Sequence, residues 1–456
     1  MEINKNLIHE NSFGIDKKGH LTLHGVNLVE LCEKYDTPLF VFDEVKLIEN
    51  FNRISSAFSA LYPKVMVCYS IKTNNNLAIC QTLKENGAYA EVASELDIHV
   101  ALRAGFGGEN IIFDGPMKSK ETLKTAISKQ IRLINVESLT ELNRVNAVAG
   151  ELGVKQAIGF RINPFKEPGI FKYLSLNKLV TAAYCNLGSR FGFSIKEAYS
   201  AVQQATKLKN LKIEAIMAHP YRVSTKVLLP MMRELYRNFG VELKYLNIGG
   251  GFNPGGARFI GNNDLIKDFL RRKIGLKSKL AENRNITNIE SVAKSIVNEI
   301  KQGLEDLPEP TIIVEPGRFI TSASGILLTR IDHVKNAGGY KWVMVDAGTN
   351  LLPRFGAIEQ RKISVANKAS KQPEEEINVV GPLLYVEDFI NLKTFLPKVS
   401  EGDILSISDC GAYTISRSTQ FLHPRPGAVN LDSNGNVKLI RERETPEDVL
   451  YKDKTI

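Results

Sequence analysis

Five short segments carry residue types that chemistry can use. Lys72 follows the apolar run of Val67-Cys68-Tyr69-Ser70-Ile71-Lys72-Thr73-Asn74, which places it at the end of a strand. A poorly solvated amine there has a lowered pKa and can attack a carbonyl to form an imine. Leu246-Asn247-Ile248-Gly249-Gly250-Gly251-Phe252 runs a strand into three glycines, whose backbone N–H groups can close around an anion such as a phosphate. The spacing is not G-x-G-x-x-G, so no dinucleotide-binding turn is implied. Val314-Glu315-Pro316-Gly317-Arg318 ends another strand. Its carboxylate can hold a proton on a ring nitrogen, and Arg318 can bind phosphate or carboxylate. His219 ends the run from Ile213, and Tyr413 lies in Asp409-Cys410-Gly411-Ala412-Tyr413, ahead of Pro424-Arg425-Pro426. Each segment also has an ordinary reading: a surface lysine, a tight turn, an ion pair at a domain junction, a packed ring.

Taken together, these groups ask for one ligand with an aldehyde, a phosphate and a basic ring nitrogen. Pyridoxal 5′-phosphate has all three, and its protonated ring conjugated to an imine is an electron sink for the carbanion left when CO₂ departs.

The elements that must position these residues alternate. Val45 to Leu61, Leu77 to Gly87 and Glu95 to Ala104 have helical periodicity. Between and beyond them lie apolar runs centred on Val65, Ala90, Ile112, Leu133, Ile158, Ile216, Leu246 and Ile312. Eight β/α units over about 250 residues predict a TIM (β/α)8 barrel, whose active site lies at the carboxyl ends of the strands. After Gly317 the runs Ile326–Ile331, Lys341–Val345, Ile377–Val380, Asp403–Ile407 and Val437–Ile440 are short and separated by Gly, Asn, Asp and Pro. They predict an all-β domain, which also takes in the N-terminal strands at Leu21–Leu23 and Pro38–Phe42. The expected division is 1–45 for those strands, 46–308 for the α/β barrel and 309–456 for the β domain. Arg258–Arg284, with eight basic and three acidic residues, and Lys362–Glu376 read as flexible loops.

Composition narrows the class. The chain has 456 residues, 43% of them hydrophobic and 24% charged, which excludes a disordered or low-complexity protein. No apolar run is long enough for a membrane helix, and the N-terminus lacks a signal-peptide pattern. The net charge of +9 comes without an aromatic-interleaved basic motif, so nucleic acid is not an expected partner. Five scattered cysteines with no C-x-x-C pair predict reduced thiols in a cytoplasmic protein, without a disulfide framework or a metal site.

Over nearly its full length the chain resembles the fold-type III pyridoxal-phosphate decarboxylases, most closely the diaminopimelate decarboxylases. The resemblance is carried by Thr37–Phe42, Tyr69–Asn74, Glu91–Leu96, Ile134–Ser138, Arg190-Phe191-Gly192, Ile248–Phe252, Glu315–Arg318, Gly381-Pro382, Gly411-Ala412-Tyr413 and Pro424-Arg425-Pro426. It implies a homodimer with active sites shared at the interface. It further implies that Lys72 bonds the cofactor aldehyde and His219 stacks on the ring. Gly249, Gly250 and Gly251 would take the phosphate and Glu315 the pyridine nitrogen. Arg318, with Gly317 beside it, would take a phosphate or substrate carboxylate, Arg354 a substrate carboxylate, and Tyr413 would lie near the phosphate and substrate.

The departures from the family pattern gather where substrate is read. Where the family has Gly-Pro-x-Cys-Glu-x-x-Asp, this chain has Gly381-Pro382-Leu383-Leu384-Tyr385-Val386-Glu387-Asp388. Leu384 stands in place of the cysteine that reprotonates the product carbanion, and Tyr385 in place of a glutamate that pairs with the far amino group of diaminopimelate. Tyr385 is therefore the candidate proton donor and substrate contact. Arg222 replaces a phosphate-binding serine, and Ile358 a substrate-facing tyrosine. These changes suggest a decarboxylase acting on a specialised or modified amino acid, and the basic stretch at Arg258–Arg284 would suit an acidic carrier protein for it. The alternatives are a diaminopimelate decarboxylase, a decarboxylating transaminase or racemase, and an inactive cofactor-binding homologue.

Overall fold

A computed structural model describes residues 12–164, 190–254, 258–260, 262–276, 287–353 and 358–456. A small antiparallel ribbon comes first, built from β1 (Phe13–Ile15), β2 (Leu21–Leu23) and β3 (Val26–Asn27). Strand β4 (Leu39–Asp43) follows, then the helix Glu44–Ser59, whose first turn is capped by the Asp43 side chain. The next strands are β5 (Val65–Ser70), β6 (Tyr89–Val92), β7 (Ile111–Phe113), β8 (Leu133–Val136), β9 (Gln156–Arg161), β10 (Leu211–Met217) and β11 (Tyr245–Asn247). A short β12 (Arg258–Ile260) intervenes before β13 (Thr311–Val314). Strands β5 to β11 and β13 pair in parallel and close into a barrel, β13 pairing β5 to complete the ring. All eight strand centres expected from the sequence lie in these eight strands.

Helices lie between successive strands, and their starts are written in the sequence. Ser94, Ser119, Ser138 and Ser194 each accept a backbone N–H of the following helix. Such a cap is worth about 1 kcal/mol. Side chains alternate across each strand, so one parity packs against the helices and the other fills the lumen. Met66, Cys68, Ile112, Leu133, Ala215, Tyr245 and Ile313 form an apolar cluster on the inward parity. Two residues further along the same strands, the inward positions become Ser70, Asp114, Asn135, Met217, Asn247 and Glu315, and Glu91, Arg161 and His219 share that parity. The lumen is therefore apolar below and largely polar at its carboxyl-terminal mouth.

The second layer of the molecule is β. It comprises β14 (Gly325–Ala337), β15 (Tyr340–Val345), β16 (Ile358–Gln360), β17 (Ile363–Val365), β18 (Glu375–Val380), β19 (Phe389–Leu396), β20 (Ile404–Ile407), β21 (Gly427–Leu431) and β22 (Val437–Arg441). The main sheet runs β19-β18-β15-β14-β4-β21-β22, with β20 pairing both β14 and β17. Strand β4 sits in the middle of this sheet, antiparallel to β14 and parallel to β21. Leu39, Val41, Ile326, Leu328, Ile404, Val429 and Leu431 pack there as one buried cluster. The N-terminal strand thus belongs to the β layer, as its sequence predicts.

Two stretches expected as loops contain regular elements. Arg258–Arg284 contains β12, which pairs antiparallel with β16, and a helix at Asn262–Lys273. Ile266, Phe269 and Leu270 recur at helical spacing there, a pattern that the charge count had obscured. Lys362–Glu376 contains β17 and the start of β18, because Ile363-Ser364-Val365 alternates apolar and polar against β20. No helix among the described residues is long and apolar enough to cross a membrane.

Candidate active site

The polar mouth of the barrel opens into a cavity of about 570 Å³, lined by Lys72, Glu91, Asp114, Arg161, His219, Gly251, Glu315, Gly317, Arg318 and Tyr413, among others. That is a size suited to a small-molecule ligand. Lys72 lies on a single 3-10 turn, Ile71–Thr73, directly after β5, with its side chain 46% exposed. Its ammonium donates to Glu91 Oε2 at 2.5 Å, and the Ser70 hydroxyl donates to the same oxygen at 2.5 Å. Glu91 is 1% exposed, and its other oxygen has no partner among the described residues.

The expected lowering of the Lys72 pKa is not what this arrangement produces. Burial does work against the charged amine, but the Glu91 and Glu315 carboxyl groups outweigh it and hold the pKa above the ordinary lysine value. The sequence reading counted desolvation and missed the two carboxyl groups that face the amine from β6 and β13.

Glu315 follows the last residue of β13 and accepts from Asn247 Nδ2 at 2.7 Å. Burial, then the nearby Glu91 and Asp114, push its pKa up to about 8. In the other direction, burial, then Arg161 and Lys72, push His219 down to about 4, so its ring is neutral. His219 Nδ1 accepts the Gly250 N–H at 3.1 Å, which assigns the ring proton to Nε2. Opposite shifts in two neighbouring groups are characteristic of functional sites.

The glycine turn passes too close to its surroundings for side chains. A Cβ on Gly249 would lie 2.9 Å from both the Ala218 carbonyl and His219 Nδ1, and one on Gly250 would run into the Glu315 carbonyl. Gly249 and Gly251 also have φ of +69° and +97°, a left-handed region that favours glycine. Gly317 is packed against the Thr73 hydroxyl in the same way, and Arg318 starts the short helix Arg318–Thr321 beside it. Tyr413 reaches the cavity from the β layer, where its N–H donates to the Thr73 carbonyl at 2.7 Å. A parallel tie runs from Asn74 Nδ2 to the Gly411 carbonyl at 3.0 Å.

Sequence reasoning did not single out Glu91, Asp114, Arg161 or Asn247. Asp114 Oδ2 pairs with Arg161 Nη1 at 2.6 Å, while Asp114 Oδ1 is buried without a partner among the described residues. All four lie on the inward parity, and Glu91, Asp114 and Asn247 each follow an apolar lumen residue by two positions, an alternation that was the available signal. Arg222, the departure beside His219, lies with its guanidinium over the Tyr221 ring, and Tyr221 in turn stacks on Phe252 at 4.4 Å.

Tyr385 is not brought to this cavity within the chain. It is 53% exposed in the loop between β18 and β19, and its hydroxyl donates to Glu387 at 3.1 Å. Its neighbours Leu384 and Val386 are 94% and 99% exposed. Arg354 lies outside the described residues.

Residues 46–322 match the pyridoxal binding domain of the pyridoxal-dependent decarboxylases. The chain belongs to this family. It is accordingly a pyridoxal-phosphate-dependent carboxy-lyase. Along its whole length this decarboxylase is similar to diaminopimelate decarboxylases, at 31% identity to that of Aquifex aeolicus over 95% of this chain and 96% of the relative. The enzyme of Methanothermobacter thermautotrophicus is also 31% identical, covering 96% of each chain. Among solved structures, the Methanocaldococcus jannaschii diaminopimelate decarboxylase in complex with L-lysine superposes with a TM-score of 0.82, at 28% identity and covering 98% of each chain. The family's cofactor fits the residues present. The glycine turn is packed too closely for side chains and brings bare backbone to the cavity at Gly251, Glu315 is a buried carboxyl with no cation bonded to it among the described residues, and Lys72 lines the same cavity.

Proposed function

We propose that this decarboxylase removes CO₂ from diaminopimelate or an amino acid closely like it, and that the cavity residues divide the work as follows. Lys72 bonds the cofactor aldehyde, with Glu91 and Ser70 fixing the position of its nitrogen. Glu315, oriented by Asn247, holds the proton on the pyridine nitrogen. Gly249, Gly250 and Gly251 hold the phosphate through backbone N–H groups, Tyr413 closes that end from the β layer, and neutral His219 packs against the ring. Arg318 and Arg354 bind phosphate or substrate carboxylate. When bound, pyridoxal phosphate supplies the electron sink for the carbanion left by CO₂.

The observation that carries this reading is the convergence on one cavity of an amine, a raised-pKa carboxyl and a glycine turn. The substrate half rests on the full-length similarity to diaminopimelate decarboxylases. The exposed apolar Leu384-Tyr385-Val386 loop supports a homodimer in which this loop covers the partner's cavity, bringing Tyr385 to the substrate as proton donor. Buried free thiols at Cys32, Cys68, Cys80 and Cys410 support a reducing, cytoplasmic setting.

A second reading keeps the chemistry and changes the substrate. Leu384 and Tyr385 in place of a cysteine and a glutamate favour a modified amino acid, and the basic Arg258–Arg284 stretch favours one delivered on an acidic carrier protein.

Assaying the cofactor-loaded protein with diaminopimelate separates the two. Equal release of CO₂ and lysine is expected, since lysine is what remains when one carboxyl is lost. Accumulated pyridoxamine phosphate would point to decarboxylating transamination. A loaded enzyme with no turnover would overturn diaminopimelate as substrate and leave the second reading.

A further inference from the structure

Asp388 is 4% exposed and lies between two loops of the β layer. One loop, residues 346–353, leads from β15 to Arg354. The other, residues 381–388, carries Leu384 and Tyr385. Asp388 Oδ1 accepts the Thr349 N–H at 2.7 Å and the Thr349 hydroxyl at 3.0 Å. Its Oδ2 accepts the Leu383 N–H at 2.8 Å. The main chain of Asp388 repeats the connection within its own loop: its carbonyl accepts the Gly381 N–H at 3.0 Å, and its N–H donates to the Tyr385 carbonyl at 3.0 Å.

Both loops pass the carboxylate at a glycine. A Cβ on Gly348 would lie 2.8 Å from Oδ1, and one on Gly381 would collide with Oδ2. Among the described residues the donors to the side-chain oxygens of Asp388 are neutral and come from both loops. A buried carboxylate satisfied in this way ties its donors together, because losing any one leaves charge desolvated and unpaired.

The two loops are otherwise held unequally. Asp346 pins the first at its base, accepting from the Thr37 and Thr329 hydroxyls at 2.5 Å each and from the Arg330 N–H at 3.0 Å. The second projects Leu384 and Val386 almost fully into solvent. Asp388 is where the firmly anchored loop holds the projecting one.

We propose that Asp388 is a positioning residue that latches these two loops into one unit, fixing positions 384 and 385 against the loop that Asp346 anchors. The latch then sets where positions 384 and 385 meet the substrate. What the loops hold rests on the substrate reading above, whereas the latch rests on the hydrogen bonds alone.

The test uses the full-length, cofactor-loaded enzyme with Asp388→Asn and, as a milder variant, Thr349→Val, which removes one of the three donors to the side chain. Amide hydrogen exchange in Asp388→Asn should rise by ~10-fold or more in 346–353 and 381–388 together. KM for diaminopimelate should rise by ~10-fold with kcat within about 3-fold, while the cofactor's absorbance and affinity stay unchanged. Thr349→Val should move exchange in the same direction by less. Faster exchange in one segment only, or loss of cofactor affinity in step with KM, would overturn the latch. If the wild type does not turn over diaminopimelate, the substrate reading fails, and the exchange measurement still decides the latch.

Discussion

At the barrel mouth, Glu91, Asp114, Arg161, His219, Asn247 and Glu315 stand on or just beyond strand ends, all on the inward parity of a closed sheet. In the β layer, Tyr385, proposed to meet substrate, stands on a loop tied to its neighbour through the Asp388 carboxylate, with Leu384 and Val386 exposed. The first region keeps the lysine, glycines and glutamate that the resemblance assigns to the cofactor and departs at Arg222, whereas the β layer carries the other three departures, Ile358, Leu384 and Tyr385. A barrel strand has a neighbour on either side, so an inward side chain cannot move without disturbing the ring. A loop tip can change with little cost to the fold. Cofactor chemistry is therefore fixed where the structure is hardest to alter, and substrate choice is left where it is easiest.

Substitutions can break or sharpen that contrast. The largest effect is expected at Lys72: Lys72→Ala should lower kcat by at least ~10³-fold and abolish the long-wavelength absorbance of bound cofactor, measured by stopped assay and spectrophotometry. An unchanged spectrum would refute the assignment of the bonding amine.

Glu315→Gln should come next, lowering kcat by roughly 10²-fold. It also has a signature in stability. In the cofactor-free protein, Glu315 has a folded pKa of about 8 against an ordinary value of 4.5. Between these the folded state binds more protons than the unfolded chain, so this group's contribution falls as pH rises through that window. Urea unfolding should show Glu315→Gln stabilised relative to wild type at pH 8 and nearly equal to it at pH 4.5, with a difference of order 3 kcal/mol.

The smallest of the three changes lies in the loops. Tyr385→Glu, which restores an acidic group at the family's position but removes the proposed proton donor, should lower KM for diaminopimelate by about 10-fold while kcat falls, and leave cofactor affinity untouched. A raised KM instead would favour a substrate that lacks the second amino group.

The same contrast explains what could be read from the sequence. Strand centres such as Ile112 and Leu133 were legible because a barrel strand is a short apolar run between capped helices, whose serines mark their starts. Lys72, the three glycines and Glu315 were legible because each ends such a run. Glu91 was not, because an acidic residue in a strand announces no partner until β6 lies beside β5 and brings it to Lys72. The direction of the Lys72 shift was lost for the same reason. Strand β19 was missed because Phe389–Leu396 contains Asn391, Lys393 and Thr394, whose places are taken by pairing with β18 rather than by an apolar core.

Strand β4 has a consequence for synthesis on the ribosome. Its five residues, Leu39–Asp43, are all buried in the finished protein, yet its neighbours are β14, beginning at Gly325, and β21, beginning at Gly427. The whole barrel is translated in between. A nascent chain must therefore carry an apolar strand with both edges open while several hundred residues emerge, and the sheet around it closes only after β21 has emerged. Until then β4 is an open apolar edge in need of shelter from other chains.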